Sequence, residues 1–161
     1  MSKGRAFYFQ IGKMAEKRFY EAALEKGLEI KKSTLEEDRK LHVDFWMSFN
    51  GSGSWGVDVK GNNHPSEIWC EFKNVSGDHG WMYGEAEVIA FDMPEEGGFC
   101  VVDREDLKEY CEAEVSDISV DNKAEAYKNR YTRKGRSDVI TKITLEDLKQ
   151  IKSYRVWRYS V

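Results

Sequence analysis

The segment Asn50-Gly51-Ser52-Gly53-Ser54 stands between two runs rich in Val, Phe and Trp, 41–49 and 55–60. Two such runs joined by a short Gly-containing loop are the pattern of a β-hairpin. Pairing Phe49 with Trp55 sets Asp44 opposite Lys60 and Trp46 opposite Asp58. Side chains alternate faces along a strand, so Asp58 and Lys60 share one face and Val59 takes the other. Opposed residues lie about 4.5–5.5 Å apart at Cβ and diagonal ones about 7–8 Å. Asp44 and Asp58 therefore reach a common ion, with Lys60 beside it. A one-residue bulge in the loop would move this register.

The rest of the chain limits what this hairpin can belong to. At 161 residues it is expected to be a single domain with a substantial core. Five Trp, eight Tyr and eight Phe exclude a disordered chain. No apolar run has the length of a bilayer, and Met1-Ser2-Lys3-Gly4-Arg5 has no signal-peptide core behind it, so a cytoplasmic protein is expected. Cys70, Cys100 and Cys111 are odd in number and lack metal-ligand spacing, which reads as free thiols in a reducing compartment.

Net charge is −4, which counts against a grip on nucleic acid through bulk positive charge. The distribution is uneven. Lys123, Lys128, Arg130, Arg133, Lys134 and Arg136 fall in a stretch whose only acid is Glu125, while acids gather at 36–38, 95–96 and 103–121. From charge alone, a phosphate-binding segment and an ordinary solvated surface stand level.

Helical spacing of Ile11, Ala15, Phe19 and Ala22 predicts a helix over 12–26, closed by Gly27, with Glu16 at the edge of its apolar stripe. A first strand over 28–34 and a polar stretch over 36–40 precede the hairpin. A turn at 62–65, a strand over 67–75, a loop at 77–80, a helix over 81–91 and a buried strand over 99–102 follow. A helix over 103–112, a strand over 139–143, a short helix opened by Thr144 and a last strand over 156–161 complete the reading. This order predicts an α/β fold, a mixed sheet with helices packed against it.

Three sets of residues carry a resemblance: Gly12-Lys13-Met14-Ala15-Glu16 with Gly27 closing its helix, His42-Val43-Asp44, and Val57-Asp58-Val59-Lys60. Together they resemble the PD-(D/E)XK nuclease superfamily, the restriction-endonuclease-like fold, and within it archaeal-type Holliday-junction resolvases and related phage nucleases. The family carries a helix glutamate, a strand aspartate and an acid-x-lysine on the next strand, which map onto Glu16, Asp44, Asp58 and Lys60. No Pro precedes Asp44, and the acid of the tripeptide is Asp where Glu is more frequent. The resemblance covers about 12–61 well and runs loosely to 103. It implies an α-β-β-β-α-β core over about 12–103, with a C-terminal extension over about 104–161.

That resemblance implies a magnesium-dependent deoxyribonuclease, with manganese able to substitute. Asp44, Asp58 and the carbonyl of Val59 would hold the ion. Lys60 would orient or deprotonate the attacking water, and Glu16 would hold a water or a second ion. Structured or branched DNA is the implied substrate, a homodimer the implied assembly, and a phage or mobile element (hence a host cytoplasm) a fitting origin. Glu71-Phe72-Lys73 is also acid-x-lysine, so Asp58 with Glu71 and Lys73 forms a competing set. In the favoured register those two residues would line the same cleft from a neighbouring strand.

Outside the metal site, Arg130, Arg133, Lys134 and Arg136 interleave with Tyr127 and Tyr131 as phosphate-tracking segments do. Trp81 is a candidate for stacking on a base, set against a core role. Two other classes of function remain open at this level. One is a nuclease-fold protein without turnover that binds DNA or a protein partner. The other is an acidic protein that mimics DNA.

Overall fold

The computed structural model describes residues 4–62 and 64–159. Asn63, within the expected 62–65 turn, and residues 160 and 161 of the expected last strand lie outside the described residues. In chain order the elements are α1 (Arg5–Glu25), β1 (Glu29–Lys32), α2 (Leu35–Leu41), β2 (Phe45–Phe49), β3 (Ser52–Lys60), β4 (Glu67–Lys73) and β5 (Val88–Met93). They continue with β6 (Gly98–Asp103), α3 (Arg104–Glu114), β7 (Ser119–Val120), β8 (Arg130–Tyr131), β9 (Val139–Thr144), α4 (Leu145–Leu148) and β10 (Arg155–Arg158). The protein is thus a mixed α/β fold with two mixed sheets. No described helix is long and apolar enough to cross a membrane.

The chain groups into two compact units. The first uses the segments up to Pro65, Glu85–Val102 and from Arg155 onward. Its sheet has the order β1-β2-β3-β5-β6-β10, with β3 and β5 parallel and β2 and β3 antiparallel. The α1 stripe Ala15, Phe19 and Ala23 packs on Phe45, Met47, Val57, Val59, Val88, Ala90, Phe99 and Val101. Phe19 is the centre of this layer, with Phe45, Phe99 and Trp157 ring centroids at 6.0, 5.2 and 4.8 Å. Aromatic pairs in such offset and edge-on arrangements add to what burial alone contributes.

The hairpin forms, two residues out of the expected register. Asn50 and Gly51 both have positive φ (51° and 69°), as a two-residue type I′ turn demands, so β3 already begins at Ser52. Met47 then pairs with Trp55 and Phe45 with Val57, with an irregularity between Met47 and Phe49. A shift of two preserves the faces, because the side-chain period is two. It does change who meets whom: the ladder ends at Phe45 and Val57, and Asp44, the next residue, donates its N–H to Val57 O, so Asp44 no longer lies opposite Lys60.

Two elements depart further from the sequence reading. The 36–40 stretch is helix, started by a capping box in which Thr34 Oγ1 accepts from Glu37 N–H and Glu37 Oε1 accepts from Thr34 N–H. The helix expected over 81–91 is instead a 3-10 turn, Trp81–Tyr83, followed by β5, whose six residues are all buried. A strand buried on both faces reads as a continuous apolar run, without the alternation that marks a half-exposed one. The implied α-β-β-β-α-β order therefore lacks its second helix at that place. α1 also begins earlier than expected, at Arg5.

The second unit holds the four-stranded sheet β4-β9-β8-β7 with α3 and α4. Ile68, Cys70, Phe72, Trp81, Met82, Leu107, Cys111, Ile143 and Leu148 are buried within it. All three cysteines are buried and none is in a disulfide.

α1 is tied to its sheet by a polar staple. Asp92 on β5 is 1% exposed and accepts from Arg18 through both Nε and Nη2 and from the Tyr159 hydroxyl. Deleting one partner of a buried ion pair strands the other charge, which costs roughly 3 kcal/mol or more, whereas replacing both with apolar groups is far milder. Urea denaturation of Arg18→Met should show that loss, and the pair Arg18→Met with Asp92→Leu should recover most of it. A single variant within about 0.5 kcal/mol of the parent would class the pair with surface salt bridges.

Candidate active site

Asp44 is placed by backbone contacts on both sides. Its N–H donates to Val57 O (2.8 Å) and its carbonyl accepts from Ser33 N–H (3.0 Å). Just before it, His42 takes the left-handed conformation (φ 56°) that closes α2, and Val43 is fully buried. The short capped helix thus delivers Asp44 into the sheet at one position. Asp58 and Lys60 come from β3 at alternate positions, opposite in face to the core residues Val57 and Val59.

The two carboxylates are almost out of water, with Asp44 9% and Asp58 4% exposed. Asp44 Oδ2 accepts from Val59 N–H at 2.7 Å. Asp58 Oδ1 is 3.2 Å from Lys60 Nζ, while its Oδ2 is buried and accepts no hydrogen bond. Burial first, then the Asp58 charge, pushes the Asp44 carboxyl up to about 8, against the pull of the Val59 N–H and of Lys60. Burial also raises Asp58, with Lys60 opposing it. Such a pair holds one proton more than two free carboxylates would.

Glu16, Asp44, Asp58, Val59 and Lys60 line one cleft of about 260 Å³. Tyr8, Phe9, Gly12, Lys13, Asp38 and His42 complete it. Glu16 is held by Lys32 Nζ at 2.5 Å and Lys13 Nζ at 3.5 Å. Gly61 lets α1 cross directly at the end of β3: a Cβ there would stand 2.7 Å from Ile11 Cγ2 and 3.0 Å from its carbonyl oxygen. Close approach of two backbones is a standing use of glycine.

Among the described residues no group of three or more His, Cys, Asp or Glu gathers to hold a metal ion. What the cleft offers is a pair of carboxylates with Glu16 apart from them. That suits magnesium, which keeps several waters and takes one or two carboxylates. The orphaned Asp58 Oδ2 and the mutual repulsion of the pair are what a divalent cation would relieve, so the residues fit such an ion.

The remaining sequence candidates lie in the second unit. Glu71 and Lys73 are on β4, whereas the hydrogen-bonded neighbours of β3 are β2 and β5. The expectation that 58–60 and 71–73 sit on adjacent strands is therefore corrected. Glu71 instead accepts from Trp81 N–H at 3.3 Å. Trp81 is 7% exposed, so its ring packs in the core and has no open face for a base, which corrects the stacking role considered for it. Arg133 pairs with the fully buried Asp138 through Nε and Nη2 (2.6 and 2.5 Å), and Arg130 lies 4.2 Å from the Phe72 centroid and 3.8 Å from Asp117 Oδ1. These two arginines brace the segment, while Lys134 and Arg136 are exposed on it.

Sequence reasoning missed Tyr8, Phe9, Asp38 and His42 as cleft residues. The Thr34 and Glu37 capping pair was the available signal for Asp38 and His42. No known family, curated protein or solved structure matches the chain.

Burial of the Asp44 carboxyl couples its protonation to folding. The folded protein keeps this proton from about pH 4 up to about 8, while the unfolded chain has lost it, so stability falls as pH rises through that window. In EDTA, Tm should drop between about pH 5.5 and pH 8.5, and Asp44→Asn should remove most of the drop. A parent whose Tm rises over that range, or a variant with the same slope, would contradict the assignment.

Proposed function

We propose that this chain is a metal-dependent nuclease that hydrolyses DNA phosphodiester bonds, with its first unit a variant of the restriction-endonuclease-like core. One observation carries the reading. Two buried carboxylates, one on β3 and one just ahead of β2, share a cleft with a lysine paired to one of them, and an oxygen of that same carboxylate accepts no hydrogen bond. Surface charge pairs do not require desolvated acids, and a structural ion pair would not leave a second carboxylate beside the first.

Asp44 and Asp58 would hold the divalent cation, magnesium or manganese, with the carbonyl of Val59 as a further oxygen. When bound, such a cation lowers the pKa of water and neutralises charge on a phosphoryl group. Lys60 has two roles open to it at 3.2 Å from Asp58: orienting the attacking water and stabilising negative charge that develops on the phosphate. Val59 N–H fixes the Asp44 carboxylate, so that its other oxygen points to a defined place. Glu16, held by Lys13 and Lys32, would position water at the cleft margin.

Lys134 and Arg136, which are exposed, would contact phosphate, and Arg130 and Arg133 shape their loop. A branched substrate and a homodimer belong to the proposal through the family resemblance alone.

Supercoiled, linear and four-way-junction DNA should be cut in magnesium, with the preferred substrate naming the class. Lys60→Ala should slow cutting by about 100-fold or more, the scale of losing one preorganised charge-stabilising group, with Tm little changed. Binding of DNA without cutting by the parent protein would favour the reading as a nuclease-fold binding protein.

A further inference from the structure

The first two turns of α1 serve no core. Residues 4–10 are all exposed, and the first fully buried side chain of the helix is Ala15. Yet this stretch reads Phe7-Tyr8-Phe9. Successive helical residues are 100° apart, so three rings in a row cannot all face a sheet. Tyr8 is 53% and Phe9 63% exposed, a large apolar surface to leave in water without a use.

These two rings also line the cleft that holds Asp44, Asp58 and Lys60. The close crossing at Gly61 fixes α1 over the end of β3, one residue beyond Lys60. Lys13 links the rings to the acids: its Nζ lies 5.4 Å from the Phe9 centroid and 3.5 Å from Glu16. The cleft thus has carboxylates and a lysine at one side, an exposed cation in the middle and two open rings at its margin.

We propose that Tyr8 and Phe9 form a stacking ledge that holds an unpaired base of the strand whose phosphate enters the cleft. The substrate class is then DNA that is single-stranded or splayed at the reacting phosphate; this rests on the nuclease reading above. The choice of nucleic acid follows from the lining: exposed rings beside Lys13 suit an apolar face attached to an anion, which is what a nucleotide is. The choice of an unpaired base follows from stacking geometry. In a duplex both faces of each base are covered by its neighbours, and a helix lying in the major groove reads base edges with polar side chains. Rings engage bases that have left the stack.

The test uses calcium in place of magnesium to hold cutting back, with a 2-aminopurine oligonucleotide as single strand and as blunt duplex. Tyr8→Ala with Phe9→Ala should weaken the single strand by about tenfold or more and the duplex by less than about twofold, and should abolish the stacking quench of 2-aminopurine. Tyr8→Phe with Phe9→Tyr should restore both, since each ring keeps its face. Both positions are exposed, so Tm should not move. Equal losses on both substrates, or single-strand binding unchanged in the Ala pair, overturn the ledge while parental cutting keeps the nuclease reading in place. An Ala pair that binds DNA normally but converts a dimer to a monomer in sedimentation also overturns it, in favour of a surface between copies of this chain. Absence of both binding and cutting in the parent removes the nuclease reading and the ledge with it.

Discussion

Two carboxylates buried side by side are the constraint around which the first unit is arranged. Desolvation and mutual repulsion both oppose their ionisation, and the Val59 N–H and the Lys60 ammonium work against that rise. A protein selected for stability alone would place apolar residues at such positions, because ion pairs out of water rarely repay their desolvation. Asp44 enters the sheet beside Val57, the residue before Asp58, through its N–H bond to the Val57 carbonyl. The Asn50-Gly51 turn pairs Phe49 with Ser52, and one extra residue on β3 before Trp55 sets the ladder that pairs Met47 with Trp55 and Phe45 with Val57.

The helix across the sheet answers to the same site. Phe19 anchors α1 in an aromatic cluster, Arg18 staples it to buried Asp92, and Gly61 admits its backbone to the end of β3. Held at these points, α1 carries Glu16 and Lys13 into the cleft and leaves its first two turns free of packing duties. Rigid placement of a site by elements that are themselves packed is what keeps reacting groups in position.

Much of this was legible in the residues. The α1 stripe, the β6 strand and the Thr144 cap follow from local chemistry and appear where that chemistry puts them, and the hairpin forms with its register shifted by two residues. Three features were not legible, each for a physical reason. All five residues of the loop over 50–54 are turn-formers, so which pair makes the turn depends on φ values that composition does not give. The β5 strand has no alternation because both of its faces are buried, and the Met, Glu and Ala residues before it favour helix. The start of α1 lacks helical periodicity, since its rings serve no core. Glu71 and Trp81 show the opposite failure: their local patterns suggest chemistry, and the second unit uses them for packing and backbone hydrogen bonding.

On the proposed function, the Asp44 and Asp58 pair holds a proton which a divalent cation replaces. Calorimetric titration of manganese into the protein near pH 7, repeated in two buffers of different ionisation enthalpy, measures the ion and the proton together. One saturable site with release of about one proton, lost in Asp44→Asn, is the expected result, because the Asp44 carboxyl sits at about 8 without the ion. No saturable binding, or binding without proton release that persists in Asp44→Asn, would mean that this carboxylate pair is not a cation site.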